Sequence, residues 1–237
     1  MNTMSFRAML SLPPARLALA TGMLLAGGCR SATYVVQVDA ISQPGQVAPK
    51  PAAEPQSFKV RPRNRQIAED SLRYREVSGY IKTALSAKGL YEAPTAEAAD
   101  LIIEVDYGME APRMKYQTVE TPVVVLQQSQ ALPGGQGVVA PADGRVVGWN
   151  ETNEAIVVYE KYLKVSAREN QQPTEGRPPP EVWSVNVTAV DKSNELRKYL
   201  PILASATANY IDTNTKQEQS VAVHEGDEAV KFIKKGM

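Results

Sequence analysis

The chain of 237 residues contains a single cysteine, Cys29, and this count limits how the chain can be held together. A disulfide within the molecule needs two cysteines, so the fold must be stabilised by its apolar core alone. The hydrophobic content of 43% is ordinary for a folded protein. Its 26 Lys and Arg residues balance its 26 Asp and Glu residues, so the chain lacks the basic excess that nucleic-acid binding requires. We therefore expect no nucleic-acid partner.

Residues 1–28 have the pattern of a secretory signal. Arg7 and Arg16 are the only charges, an apolar run follows at 17–25, and small residues fill positions 26–28. An apolar run of about nine residues fits the h-region of a signal peptide. It is too short to span a bilayer, which takes roughly 20 residues. The sequence therefore predicts an exported protein.

The stretch Ala26-Gly27-Gly28-Cys29 resembles the lipobox of bacterial lipoproteins, in which the cysteine is diacylated before cleavage. The resemblance implies that Cys29 becomes a palmitate-bearing N-terminus, which makes the membrane a partner. Ala26 stands where that family usually has leucine, and Leu25 lies one place further back. Arg30, rather than aspartate, implies delivery to the outer membrane with the domain facing the periplasm. The alternative is an ordinary signal peptide, cleaved nearby, that leaves a free buried cysteine.

The spacing of apolar residues predicts the secondary structure after Cys29. A 3.6-residue stripe predicts a helix from Ser71 to Lys88, closed by Gly89, and a second helix from Leu196 that is capped by Asp191 or Ser193. Pro201 should kink that second helix or restart it. Period-two alternation predicts strands at 34–41, 57–63, 101–108, 154–168, 183–189 and 219–224. A last turn or helix is expected at 229–233.

This element order predicts an α+β fold, a mixed and largely antiparallel sheet with two main helices packed on one face. We divide the chain into a signal peptide at 1–28, a lipidated N-terminus with first strand and proline-rich linker at 29–56, and a domain at 57–237. A β-rich insertion of short strands around turns is expected at 109–153. Strand 34–41 either joins the domain sheet or belongs to the linker. We favour joining, because an isolated valine-rich strand promotes aggregation.

The arrangement also resembles uncharacterised envelope lipoproteins with a single α+β domain. The shared motifs are a helix closing on Lys88-Gly89, Ala99-Asp100-Leu101 entering a strand, and a later strand led by Trp183. The resemblance covers most of residues 34–211. It implies a location and a fold, and no activity.

No residue set in the sequence indicates catalysis, a metal or a cofactor. His224 is the only histidine, and no Gly-x-Ser-x-Gly motif supplies a nucleophile. One histidine and one cysteine do not make a zinc ligand set. Glu104 and Asp106 alternate along a strand, as a glycosidase pair or, as we favour, as the solvated side of a half-buried strand. We therefore expect a protein that is not an enzyme.

Two further groups have a simple explanation. Gly134-Gly135-Gln136-Gly137 lacks the lysine and hydroxyl of a phosphate-binding loop and predicts a turn. The lysines of the C-terminal tail could contact anionic lipid, but three cations are few, and a solvated tail is favoured. These lysines are Lys231, Lys234 and Lys235.

Residues 114–152 are the predicted contact for an envelope protein partner, with Val123, Val124, Val125 and Trp149 as the binding residues. Apolar pieces interrupted by Gly and Pro fit poorly in a central strand and suit an edge that accepts a partner. The alternative, slightly favoured, is a small β-meander that packs on the strand from Glu154. The sequence thus predicts a lipid-anchored cell-envelope protein that acts by binding or scaffolding. The alternative function is an envelope enzyme acting on cell wall or lipid.

Overall fold

The computed structural model describes residues 32–43, 56–126, 144–172 and 177–236. The predicted signal peptide, Cys29, most of the proline-rich segment and the Gly134–Gly137 turn lie outside the described residues. In chain order the described elements are β1 (Thr33–Ser42), β2 (Ser57–Pro62), α1 (Leu72–Ala87), β3 (Tyr91–Glu92), β4 (Leu101–Met109), β5 (Arg113–Leu126), β6 (Gly144–Glu169), β7 (Glu181–Asp191), α2 (Leu196–Tyr210), β8 (Gln219–His224) and α3 (Glu228–Lys235).

The strands form one eight-stranded sheet in the order β3-β2-β4-β6-β7-β1-β8, with β5 paired to β6 outside that order. β2 runs parallel to β3 and to β4, and the remaining pairs are antiparallel. The fold is therefore α+β with a mixed, largely antiparallel sheet. β1 lies between β7 and β8, so the strand predicted at 34–41 is an internal strand of the same sheet as residues 57–237.

Alternating apolar residues explain the internal strands. In β1, Val36, Val38 and Ala40 are fully buried, while Val35, the residue before Val36, is exposed. In β7 every second residue from Trp183 to Ala189 is also buried. These residues share one core with apolar residues of all three described helices. Burial of one strand face in a core is what the period-two pattern predicts.

Local signals fix both ends of α1. The Ser71 hydroxyl accepts a hydrogen bond from the Tyr74 N–H and caps the first turn. At the other end Gly89 has a φ of +84°, and the Leu90 N–H donates to the Leu85 carbonyl. This arrangement is a Schellman motif, and glycine suits it because a Cβ is disfavoured at positive φ. The predicted helix from Ser71 to Lys88 is confirmed.

The predicted cap of α2 is wrong. Glu195 occupies the cap position without a side-chain hydrogen bond, and Pro201 lies inside a helix that continues through it. Asp191 cannot cap α2, because its carboxylate accepts from the Ser193 N–H and from Lys161 instead. Pro201 lacks the N–H that would donate to the Arg197 carbonyl. The helix tolerates this because only one hydrogen bond is lost, close to the helix start.

The prediction of short strands at 109–153 is also wrong. Instead β5 has 14 residues and β6 has 26, and the two form an antiparallel ladder from Arg113↔Val158 to Leu126↔Gly144. Pro122 does not interrupt this ladder, since β5 has a neighbour on one side only. A register shift between Val123 and Val124 absorbs the irregularity near Gly148.

Candidate functional site

The candidate site is a long β-hairpin, which we call the arm, made of β5 and residues 144–158 of β6. β4 pairs with β6 from Leu101↔Glu169 to Met109↔Lys161, and after a short break at 110–112 β5 continues along the same side of β6. The other side of β6 is covered by β7 only as far as Tyr159↔Asp191. From Val158 towards Gly144 the hairpin therefore leaves the sheet as a two-stranded ribbon.

The arm is exposed on both faces. Apart from Val158 at its base, none of its side chains with a described environment is buried, and only four are half-buried. Two-stranded hairpins are marginally stable in water, because one layer buries little apolar surface. The large exposed apolar side chains of the arm are Met114, Tyr116, Val124, Val125, Val146, Val147, Trp149 and Val157. This ribbon presents more apolar surface than its own fold requires.

Composition changes along the arm. The base combines Arg113 and Lys115 with apolar residues, and Arg113 pairs with Glu160 at 2.7 Å. The middle is polar, and Glu120 lies directly opposite Glu151. Like charges in a cross-strand pair are destabilising, so this pair does not stabilise the hairpin. The distal part, which we define as residues 122–125 and 146–149, contains no charged side chain.

The predicted binding residues all lie in this distal part. Val124 and Val125 are each 49% exposed, Trp149 is 62% exposed, and Val123 is half-buried. The ladder brings Val123 opposite Gly148 and places Pro122 against Trp149. The sequence thus located the exposed apolar residues, although it did not predict the continuous hairpin that positions them.

Both long edges of the arm are open. Among the described residues, β5 pairs with β6 alone, and the 144–158 segment of β6 pairs with β5 alone. An open edge presents unpaired N–H and C=O groups to any strand that approaches. The arm therefore offers backbone edges as well as apolar side chains.

An ion pair with a buried ammonium and a partly exposed carboxylate lies at the foot of the arm, where the sequence shows only an interruption of the apolar face. Lys161 is 0% exposed, and its ammonium forms an ion pair with Asp191, which also accepts from the Tyr199 hydroxyl. The ammonium lies 4.3 Å from the centre of the Tyr199 ring. Tyr199 in turn makes an edge-on contact with Tyr34. The cluster joins β6, β7, α2 and β1.

The protonation states of this cluster follow from its contacts. Burial alone would raise the pKa of Asp191, but hydrogen bonds from Lys161, Tyr199 and the Ser193 N–H lower that pKa below its ordinary value. Burial and the bond to Asp191 raise the pKa of Tyr199. Asp191 is therefore a carboxylate and Tyr199 a neutral phenol, an arrangement that fixes the base of the arm.

Glu104, one of the two candidate glycosidase carboxylates, is paired with two guanidinium groups. Glu104 accepts from Arg61 at 2.6 Å and from Arg168 at 3.3 Å. Burial opposes ionisation of Glu104, yet these two guanidinium groups hold its pKa below the ordinary value. A general acid needs a raised pKa. The lowered pKa argues against Glu104 as a general acid, and its side chain, only 15% exposed, belongs to an ion-pair network and not to the predicted solvated face.

His224 and the C-terminal lysines have ordinary surroundings. His224 is exposed at the end of β8, and its Nδ1 shares a 2.8 Å hydrogen bond with Thr33 Oγ1. Lys234 pairs with Glu225 at 3.3 Å. Lys231 and Lys235 line a cavity of about 760 Å³ beside Phe232. Nowhere in the described ranges do three or more His, Cys, Asp or Glu side chains gather to hold a metal ion.

The comparisons with known proteins identify no family. No protein-family model matches the chain, and no curated protein sequence matches it. Among solved structures, it is similar to the crystal structure of a PDZ domain protein from Parabacteroides distasonis, with 12% sequence identity and a TM-score of 0.41. The match covers 82% of this chain and 40% of that one, so the chain spans two fifths of the length of that protein. Within the described residues, no helix has the length and hydropathy needed to cross a membrane.

Proposed function

We propose that the chain is a lipid-anchored cell-envelope protein that acts by binding or scaffolding, with the arm as its binding element. The observation that carries this proposal is the exposure of the arm on both faces and along both edges. Proteins normally shorten, charge or cover such edges, because open edges pair with other chains. An arm that keeps its backbone edges open and exposes apolar side chains suits the binding of a partner.

Strand addition is the binding mode that the arm favours. The middle of β5, residues 117–121, is extended, polar and open on its outer edge. A strand of an envelope protein partner that adds to this edge gains backbone hydrogen bonds, and adjacent apolar side chains of the arm provide selectivity. Among the described residues neither Glu120 nor Glu151 forms an ion pair, so strand addition there breaks none of the described ion pairs.

The anchor is the second part of the proposal. Cys29 precedes Thr33, the first residue of β1, by four positions, so an acyl group at Cys29 would hold the sheet close to the membrane. Arg30 supports delivery to the outer membrane with the domain in the periplasm. We also infer that α1 and α2 pack on one face of the sheet, which the alternate burial of β1 and β7 supports.

Site-specific crosslinking tests the arm. We replace Tyr116, which is 71% exposed on the arm, by a photo-crosslinking phenylalanine analogue in the native envelope. Tyr91, 51% exposed on β3, receives the same analogue as the matched control. We expect a protein adduct from position 116 and none from position 91, as measured by gel shift and mass spectrometry. Equal adducts from both positions, or none from the arm, would contradict the role of the arm.

Fatty-acid labelling tests the anchor separately. Cys29→Ala should abolish incorporation of labelled palmitate, because the thiol is the proposed attachment atom. A serine substitution elsewhere in the leader, Thr21→Ser, should leave the labelling intact. Persistent labelling of the Cys29→Ala chain rejects lipidation at this residue. Density-gradient fractionation of the wild type then tests delivery to the outer membrane.

A further inference from the structure

The arm and the beginning of β1 lie at the same end of the sheet. Gln37 of β1 pairs with Thr188 of β7, and Thr188 pairs with Tyr162 of β6. β1 and β6 run in the same direction, since both are antiparallel to β7. Counting four residues back from Gln37 gives Thr33, and counting four back from Tyr162 gives Val158. Thr33 and Val158 are therefore level with each other. Val158 is also where β5 joins β6, so the chain enters the sheet level with the foot of the arm.

This alignment limits where a membrane anchor at Cys29 can lie. Four extended residues reach at most about 14 Å beyond Thr33. The ladder from Val158 to Gly144 extends roughly 45 Å from the same level, at about 3.3 Å per residue. An anchored domain therefore has its arm on the side from which the anchor enters, and because the arm reaches about three times as far as the tether, it meets the membrane surface inclined along that surface and not upright.

Exposed apolar side chains are concentrated at this same end. Besides those of the arm, Val35 lies near the start of β1, Met109 ends β4 and Val190 lies at the end of β7. Leu72, the first residue of α1, is 82% exposed, and the adjoining Ser71 lines a cavity together with Met109. The other large exposed apolar residues are Ile41, Tyr91 and Phe232. Apolar exposure thus follows the arm and the sheet end that carries it.

We infer that the distal part of the arm lies in the interfacial layer of the membrane. Both of its faces are apolar, with Val124, Val146 and Trp149 on one and Val123 and Val125 on the other. An apolar medium contacts both faces of a ribbon equally, and Trp is favoured at the boundary between headgroups and acyl chains. This inference rests on the proposed anchorage at Cys29 and goes beyond the proposed protein partner.

The depth and the driving force also follow from the arm. Its open backbone edges need hydrogen-bond partners, which water and headgroups supply and the hydrocarbon core does not. The distal part therefore lies at the interface rather than across the bilayer. Across the described arm, Arg113, Lys115 and Arg145 are balanced by Glu120, Glu151 and Glu154. Apolar burial, not charge, drives the contact, so zwitterionic lipid suffices and added salt has little effect.

The two tryptophans of the chain make a direct test possible. Trp183 is 4% exposed in the core, whereas Trp149 is 62% exposed on the arm. We add phosphatidylcholine vesicles to the full chain carrying Cys29→Ala, so that no acyl group contributes. We expect a blue shift of tryptophan emission and quenching by lipids brominated near the headgroup. A Trp149→Phe variant should lose both effects and retain the emission of Trp183.

A matched pair of substitutions measures the affinity. Val124→Ser combined with Val147→Ser should lower vesicle partitioning roughly tenfold, since two half-exposed valines no longer gain from burial. Ile41→Ser, at 56% exposure close to the 58% of Val147, lies at the opposite end of the sheet and should leave partitioning unchanged. The leader is common to all of these chains, so it cancels in the comparison.

Three results would overturn the inference. They are an unquenched Trp149 at every lipid concentration, an equal loss in the Ile41→Ser control, and binding that requires anionic lipid. An arm that crosslinks a protein but is not quenched by lipid would replace the membrane with a protein at the distal part. In that case the proposed function would stand and the inference would fall. Absence of palmitate labelling in the wild type would reject the anchor and with it the placement of the arm at the membrane, even if the arm binds vesicles.

Discussion

The buried ammonium of Lys161 depends on a single carboxylate. Lys161 is 0% exposed, whereas the Asp191 side chain is 39% exposed. The two partners therefore differ in what happens when either is removed. A lone Asp191 can be solvated, but a lone Lys161 stays inside the protein beside the Tyr199 ring, with no second carboxylate paired to it among the described residues. Unpaired buried charges are among the most destabilising features in proteins.

We predict that Asp191→Asn lowers the free energy of unfolding by about 3 kcal/mol, because it leaves the Lys161 charge without its counter-ion. Lys161→Met should cost less, about 1 kcal/mol, since it removes the buried charge and retains the packing. The double variant should be more stable than Asp191→Asn alone. Urea unfolding of the four chains measures this coupling. Additive effects would show that the ion pair contributes nothing.

A second residue-scale prediction concerns acid. Folding lowers the pKa of Glu104 from its ordinary value of 4.5. The stability that Glu104 contributes is therefore complete above that pH and is lost as the pH falls through the folded-state pKa. Glu104→Gln should be about 1 kcal/mol less stable than the wild type at pH 7. The difference should shrink in urea titrations below pH 4. A gap that grows in acid would mean that folding raises the pKa instead.

Among the elements, those with one buried face were predictable. The alternating buried residues of β7 form a sequence pattern within a few positions, and so does the cap of α1. The arm was not predictable in this way, because neither of its faces is buried and no period-two signal arises. The ion pair between Lys161 and Asp191 was also missed, since the residues lie 30 positions apart. An isolated lysine in an apolar strand face was the one available signal.

The arm should be removable without loss of the fold. Because Thr118 and Asn153 are opposite each other, residues 119–152 can be replaced by an Asn-Gly turn that keeps the register. We expect the melting temperature to change by no more than about 2 °C, since the deleted residues with described side chains bury little surface. Differential scanning calorimetry measures this. Val158→Asp, at a position that is 3% exposed, is the control and should be strongly destabilised. A shortened chain that unfolds would show that the arm stabilises the domain.

At the scale of the molecule, β1 is part of the sheet and not of a linker. It pairs with β7 on one side and with β8 on the other. Tyr34, Val36, Val38 and Ala40 contribute to the shared core. Removing β1 would separate β8 from the sheet and open an edge of β7.

We predict that a chain comprising residues 57–237 does not fold. Burial of each valine or tyrosine of β1 contributes about 1.5–3 kcal/mol, and the sum approaches the whole stability of a typical domain. Circular dichroism should show no cooperative melting, whereas a chain beginning at Ser31 should melt in one transition. Cooperative melting of the shorter chain would show that the sheet is complete without β1.

The position of β1 also determines when this protein can complete its fold. One edge of β1 pairs only when β7 is available, as Gln37 does with Thr188. The other edge pairs only when β8 is available, as Gln37 does with Ser220. A polypeptide delivered N-terminus first, by a ribosome or a translocon, releases β1 early and its two neighbours last. Contacts so distant in sequence close slowly, and unpaired strands aggregate meanwhile. This valine-rich segment therefore has neither of its strand partners until β7 and then β8 have followed it.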